Sequence, residues 1–252
     1  MGDFDGKVIL VTGASRGIGA AITRQLVAGG GEVVIHYSHH SRRAEALADE
    51  LGPSRCHLVQ ADFTDPASAL DAWRAALDWR GRIDVLVNNA GIYASAGVDD
   101  DFAHWAETWR RTLDINLVAT AHLCREAILH FRTRGGGTIV NIASRAAFRG
   151  DDVDNTHYAA SKGGMVALTR TIARGHAAEG ILAYVVAPGF VRTEMAEQVF
   201  AEEGEARVLG EIPLGEIPGP EDVAEVVVFL ASGRARFATG ATVDVNGASY
   251  VR

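Results

Sequence analysis

The stretch Lys7-Val8-Ile9-Leu10-Val11-Thr12-Gly13-Ala14-Ser15-Arg16-Gly17-Ile18-Gly19 decides the fold. Val8–Val11 is an unbroken apolar run of strand character, and a helical pattern starts near Gly17. Between them lie glycines spaced Gly-x-x-x-Gly-x-Gly. Glycine lets the backbone turn tightly and approach a ligand closely, and the helix N-terminus behind it presents free N–H groups and a positive dipole. The dinucleotide fingerprint Gly-x-Gly-x-x-Gly is thus met in its setting, strand then turn then helix, though not in its letters. Alone, such glycines could merely connect a strand to a helix; the setting favours a phosphate cradle formed by Gly13, Ser15, Arg16, Gly17, Ile18 and Gly19.

Outward from this turn, short β-branched runs alternate with helical stretches along the whole chain. Strands are expected at Lys7–Val11, Glu32–Tyr37, His57–Ala61, Ile83–Val87, Thr138–Ile142, Leu182–Val186 and Thr242–Val245. Helices are expected from near Gly17, Arg42, Ala67, Phe102, Thr156 and Glu221. This alternation predicts an α/β fold: a single Rossmann-type, doubly wound parallel sheet of about seven strands with helices on both faces. No repeat, linker or composition shift divides it, so residues 1–252 read as one dinucleotide-binding and catalytic domain. The longest strand-free segment, about 193–220, holds an acidic helical piece, Met195–Leu209, and reads as a substrate lid rather than as surface decoration.

Composition narrows the function. Hydrophobic residues make up 48% of the 252 and charged residues 22%, a soluble globular balance that excludes disorder as the main state. Lys plus Arg number 24 against 32 Asp plus Glu, a net charge of −8, the wrong sign for a nucleic-acid binder. Two cysteines, Cys56 and Cys124, are too few for a disulfide framework or a cysteine-type zinc site, and suit a reducing cytoplasm. The N-terminus is acidic where a signal peptide is basic, and has Gly6 where a myristoylation signal needs Ser or Thr. No apolar run approaches the ~20 residues that cross a bilayer.

The end of the second strand discriminates between cofactors. An NAD-binding fold usually places an acid there to hold the ribose 2′-hydroxyl. Here Val33-Val34-Ile35-His36-Tyr37-Ser38-His39-His40-Ser41-Arg42-Arg43 reaches no acid before Glu45. With Arg16 in the turn and Ser38, His39 and Arg42 after the strand, a 2′-phosphate is favoured and no carboxylate repels it. NADP(H) is therefore the expected cofactor, NAD(H) the alternative. A solvated basic helix start would look similar; a His39-His40 metal site would need a third ligand that the sequence does not suggest.

Tyr158 and Lys162 are four residues apart in Tyr158-Ala159-Ala160-Ser161-Lys162 and so share a helix face. A phenol titrates near pH 10; a lysine cation within about 4–6 Å would lower that value. Tyr158 would then act as acid in carbonyl reduction and as base in alcohol oxidation. Ser144, just after the fifth strand, can hydrogen-bond an oxygen on which charge develops. A surface Tyr-Lys pair is the bland alternative.

With Thr12–Gly19, Asn88-Asn89-Ala90-Gly91, Asn116, Ser144, Tyr158, Lys162 and Pro188-Gly189 in this order, the chain resembles the short-chain dehydrogenase/reductase family over essentially its whole length, and within it the 3-oxoacyl-acyl-carrier-protein reductase-like branch. The resemblance implies a catalytic tetrad of Asn116, Ser144, Tyr158 and Lys162, with Asn116 holding a water that links Lys162 to solvent and the Lys162 amine on the nicotinamide ribose. It implies that Asp62 and Phe63 lie at the adenine, Asn89, Ala90 and Gly91 beside its ribose, and Pro188, Gly189, Val191 and Thr193 at the nicotinamide. It also implies a homotetramer, packed through the helices near Phe102–Phe131 and Thr156–Ala178 and through the C-terminal strand region. The reaction implied is NADP(H)-dependent interconversion of a carbonyl and a secondary alcohol on a small-molecule substrate, without nucleic acid or membrane. Carrier-protein reduction is the alternative within the family, and a non-catalytic NADP-binding regulator a more distant one.

Departures from the family pattern are local. Ser144 and Tyr158 are one residue further apart than in carrier-protein reductases, the extra residue falling in Gly150-Asp151-Asp152-Val153-Asp154-Asn155. Tyr184 stands in place of a buried Asn, and Glu216 in place of a frequent Arg. The two arginines with which those reductases meet an acidic carrier correspond to Gly135 and Glu179, although Arg132 and Arg134 lie beside the first. Trp105 and Trp109 are four apart and read as packing, and Asp99-Asp100-Asp101 as a loop with a helix cap.

Overall fold

The computed structural model describes residues 2–252, apart from the side chains at 198, 199 and 201–203. Met1 of the expected domain and those side chains of the expected lid lie outside the described residues. Seven strands, β1 (Val8–Val11), β2 (Glu32–Tyr37), β3 (Cys56–Gln60), β4 (Val85–Asn88), β5 (Gly137–Ile142), β6 (Ile181–Pro188) and β7 (Thr242–Val245), form one sheet in the order β3-β2-β1-β4-β5-β6-β7. Every adjacent pair is parallel. Alternate strand residues go to opposite faces, and both faces are covered. Ile9, Val11, Val33, Ile35 and Val140 pack with Ile22, Leu26 and Leu230 on one side. Val8, Leu10, Val34, Leu86 and Ile139 pack with Trp73, Leu123 and Phe131 on the other.

Helices α1 (Gly17–Ala28), α2 (Ser41–Leu51), α3 (Ser68–Arg80), α4 (Phe102–Leu113), α5 (Ala119–Arg134), α6 (Ala146–Arg149), α7 (Thr156–His176), α8 (Glu194–Glu203), α9 (Glu205–Gly210) and α10 (Pro220–Ala231) connect the strands. Three expectations are refined. The helical pattern from Phe102 is not continuous: a π-helical turn, Asp114–Val118, separates α4 from α5. The acidic piece Met195–Leu209 is two helices, broken at Gly204, whose φ of 84° is left-handed. The strand expected at Ile83–Val87 starts at Val85, because the Asp84 carboxylate takes the Val8 N–H at 2.9 Å. Asp101 caps α4 by accepting from the amides of Ala103 and His104, as read from the sequence. Tyr184 is buried, its hydroxyl donating to the Ala235 carbonyl at 2.9 Å, so the departure from Asn is absorbed by a different partner.

Candidate active site

A parallel sheet with reversal of strand order beside β1 opens a crevice at the carboxyl ends of its strands. A cleft of about 380 Å³ lies there. It is lined by all of the residues expected at the site except Gly19 and Asn116. Those two stand directly behind the wall. A Cβ on Gly19 would fall 2.2 Å from the Gly13 carbonyl oxygen, so glycine is required for the turn to fold on itself. A Cβ on Gly91 would lie 3.3 Å from Asn116 Oδ1 and 3.5 Å from Lys162 Nζ, which keeps this strip of wall thin.

The glycine turn is braced from below. Asn89 Nδ2 donates to the carbonyls of Thr12 and Gly13, each at 3.0 Å. The amides of Asn89 and Ala90 both donate to Thr12 Oγ1 at 3.0 Å. Asn89 thus holds the turn. His36, which sequence reasoning passed over, joins the same turn: the Gly13 amide donates to His36 Nδ1 at 3.1 Å, and Nε2 lies 3.1 Å from the Ala61 carbonyl. Acceptance at Nδ1 assigns the proton to Nε2. The ring stacks on Phe63 at 4.3 Å between centroids, and burial lowers its pKa to about 4. The turn therefore rests on a neutral imidazole. Its place at the end of the second strand, where the acid-free stretch His36–Ala44 begins, was the available signal.

At the end of the cleft expected to take the adenine, Asp62 accepts from the Thr64 amide at 3.0 Å, which holds its pKa below the ordinary value, and lies 3.6 Å from His39. Ser38 Oγ and His39 Nδ1 are 2.7 Å apart. The expectation of a carboxylate-free basic corner needs correction. Glu194, from the first turn of α8, accepts from Arg16 at 2.8 Å and also pairs with Arg43. Arg43 rather than Arg42 faces this corner, because the helical turn of α2 rotates the two side chains apart. A partner 151 residues away in sequence leaves no local signal.

The reactive end is formed where β5, α7 and the loop after β4 meet. Lys162 Nζ donates to the Ile142 carbonyl at 2.9 Å and sits 5.7 Å from the Tyr158 ring centre. Burial lowers Lys162 to about 8. Burial pushes Tyr158 up to about 12, opposed by a hydrogen bond with Ser144 and reinforced by the charge of Asp151. The expected depression of the phenol by the lysine is not what these groups produce: desolvation dominates, and the lowering that opposes it comes from Ser144. A phenol held protonated carries a proton for a substrate oxygen, but gives it up readily only where the phenolate left behind is stabilised. Tyr93 stacks edge-on against Tyr158 at 4.8 Å and fixes its ring. Asn116 sits in the π-helical turn, its Oδ1 accepting from the Ile92 amide at 2.9 Å and its Nδ2 donating to the Ile92 carbonyl at 3.1 Å and Ser161 Oγ at 3.2 Å. Its side chain is thus committed to the wall beside Lys162.

Beyond Ser144, buried Arg145 lies over the Phe190 ring at 4.6 Å and donates to Glu211 at 2.9 Å, tying the catalytic loop to the segment after α9. Among the described residues no group of His, Cys, Asp or Glu is arranged to hold a metal ion, and no helix is long and apolar enough to cross a membrane.

Comparison with known proteins agrees with this geometry. A family model described as enoyl-(acyl carrier protein) reductase matches residues 13–248. The chain is 36% identical over 253 residues to the 3-oxoacyl-[acyl-carrier-protein] reductase of Escherichia coli K12, with 99% of each chain covered. It is 36% identical to an acetoacetyl-CoA reductase of Rhizobium meliloti, covering 97% of this chain and 98% of the relative. The corresponding 3-oxoacyl-[acyl-carrier-protein] reductase of Aquifex aeolicus is 35% identical, with 98% of each chain covered. The strand–turn–helix cradle, the Ser144–Tyr158–Lys162 corner and these full-length matches agree: the chain belongs to the short-chain dehydrogenase/reductase family, an oxidoreductase of carbonyl and alcohol groups that works with a nicotinamide cofactor.

Proposed function

We propose that this chain interconverts a carbonyl and a secondary alcohol with NADP(H), Tyr158 serving as general acid and base. The observation that carries it is the meeting of Ser144, Tyr158 and Lys162 in the cleft that the glycine turn opens. The residues present fit a dinucleotide: Gly13 and Gly17 bring bare backbone to the cleft, Gly19 packs behind them, and the N-terminus of α1 faces it with no acid in its first turn. Gly13, Ser15, Gly17 and Ile18 would hold the pyrophosphate, Asp62 and Phe63 the adenine, and Val191 and Thr193 the nicotinamide. When bound, the nicotinamide supplies or accepts the hydride at the substrate carbon. Ser144 orients the substrate oxygen. In reduction Tyr158 Oη gives its proton to that oxygen, and the Lys162 cation stabilises the phenolate left behind.

Tyr158→Phe is the test. The ring and its contact with Tyr93 survive while the transferable proton is lost. Turnover should fall at least a hundredfold with cofactor affinity largely retained. A variant keeping more than a tenth of wild-type kcat would remove Tyr158 from the role. A non-catalytic regulator is disfavoured by the intact tetrad.

The substrate we favour is a small, uncharged or weakly polar ketone, aldehyde or polyol in the cytoplasm. The second reading, reduction of 3-oxoacyl groups on a carrier protein, is supported by the relatives' names. We further propose a homotetramer. Phe102 on α4 is 76% exposed and Phe237, before β7, fully exposed; both stand in the two regions that the family resemblance assigns to interfaces. Light scattering at micromolar protein should report four copies, and a monomer there would refute the assembly.

A further inference from the structure

Glu194 is not part of the tetrad, yet it bridges three elements at the mouth of the cofactor cleft. Its Oε2 accepts from Nη1 of Arg16, the residue that precedes α1, at 2.8 Å. Its Oε1 accepts from Nη1 of Arg43, in the first turn of α2. Next to it, Thr193 lies against the glycine turn, 3.4 Å from where a Gly17 Cβ would stand. One carboxylate therefore gathers two guanidinium groups from either side of the second strand's end, and carries the first turn of the lid with it.

Two guanidinium groups converging on one anion form the donor set that also suits a phosphate monoester. A carboxylate and a phosphate cannot both occupy it, because like charges at this distance repel. We infer that Glu194 is the built-in competitor of the cofactor's 2′-phosphate for Arg16 and Arg43, and so sets the selectivity between NADP(H) and NAD(H). The competitor weakens the phosphorylated dinucleotide by the free energy needed to part it from the two arginines. It leaves the unphosphorylated dinucleotide, which has no claim on them, unaffected. Displacement also frees the start of α8 from α2, so arrival of a 2′-phosphate loosens one attachment of the lid. The pair is close to half-exposed, 45% for Arg16 and 43% for Glu194, and so strongly screened, which limits the effect to a modest factor.

The inference rests on the proposal that the 2′-phosphate goes to Arg16, and the experiment separates the two. Calorimetry with 2′,5′-ADP and with 5′-ADP on the full chain measures the 2′-phosphate's contribution without turnover. Glu194→Gln should tighten 2′,5′-ADP about three- to tenfold and leave 5′-ADP within twofold. Arg43→Ala should weaken 2′,5′-ADP alone. Equal changes for both nucleotides in Glu194→Gln, or weaker 2′,5′-ADP, would overturn the inference while leaving the cofactor assignment standing, provided Arg16→Ala still lowers the preference for 2′,5′-ADP. If Arg16→Ala leaves that preference unchanged, the phosphate does not lie there and both ideas fail. The steady-state ratio of kcat/KM with NADPH to that with NADH should move in the same direction as the calorimetric ratio.

Discussion

His36 shows how much one side chain can decide. It is 2% exposed, accepts from the first glycine of the cradle and reaches the Ala61 carbonyl at the end of β3. Protonation would place a second N–H against the Gly13 amide, a clash of donors in a buried site. Its folded pKa, about 4 against an ordinary 6.5, expresses that cost. Between these values the unfolded chain binds a proton that the folded chain refuses, so stability falls as pH drops from 6.5 to 4 and is unaffected by this group above 6.5. Over the whole window the loss is roughly 3 kcal/mol. His36→Asn keeps an acceptor near Nδ1 but cannot titrate there. It should cost about 1–3 kcal/mol at pH 7 through the lost Ala61 bond and Phe63 stacking, yet flatten the acid limb. Urea titrations of both proteins at intervals from pH 7 to 4 would show it. Parallel limbs would mean that other groups carry the acid sensitivity.

The π-helical turn Asp114–Val118 makes the corresponding case for elements. A helical repeat read from Phe102 onward runs through this segment without a breaker, since no proline or glycine marks it and the distortion is set by a distant partner. Asn116 takes both backbone groups of Ile92, on the loop after β4, and the helix accommodates an extra residue to let it do so. Asn116→Ala should leave the Ile92 N–H and C=O unpaired, destabilise the chain by about 1–3 kcal/mol and shift the wall beside Lys162. A fall in kcat of tenfold or more with a lowered urea midpoint is the expected pair of results; unchanged kcat would confine Asn116 to stability. The strands, by contrast, were readable because most are short apolar runs in a sheet covered on both faces, and the cradle because its glycines fall within seven residues between a strand and a helix. Ser144, Tyr158 and Lys162 were readable through fixed spacing on one strand end and one helix. Glu194 with Arg16 and Arg43, and Arg145 with Glu211, were not: each joins segments whose proximity exists only in the folded chain.

Over the whole molecule, charge bears on the choice between free and carrier-bound substrates. Carrier proteins are acidic, so an enzyme that captures one needs unpaired basic groups near the mouth of its cleft. This chain carries a net charge of −8. Gly135 is the left-handed cap of α5, with φ of 78°, a conformation that an arginine would adopt only with strain. Arg132, which could have served instead, is paired with Glu179, and Glu179 also lies 2.9 Å from His176. Glu179 is held well down, to about 2, by Arg132 first and His176 second, so this pairing stays charged through neutral pH. Asp151 in the cleft lining and exposed Asp152 add negative charge there, opposed by Arg111 and by Arg149, which lies 3.6 Å from Glu211; exposed Arg134 stands at the end of α5, ahead of β5. A rim of this kind slows association with an acidic partner and gives little salt dependence in its favour. The prediction is therefore that a 3-oxoacyl group is reduced no more than about threefold better on carrier protein than on a short thiol, and that added salt does not weaken the carrier form selectively. Measuring kcat/KM for both thioesters from low to physiological ionic strength decides it. A carrier advantage of a hundredfold that collapses with salt would show that Arg134 and its neighbours form a docking surface after all, and would move the assignment to the carrier-protein reductases.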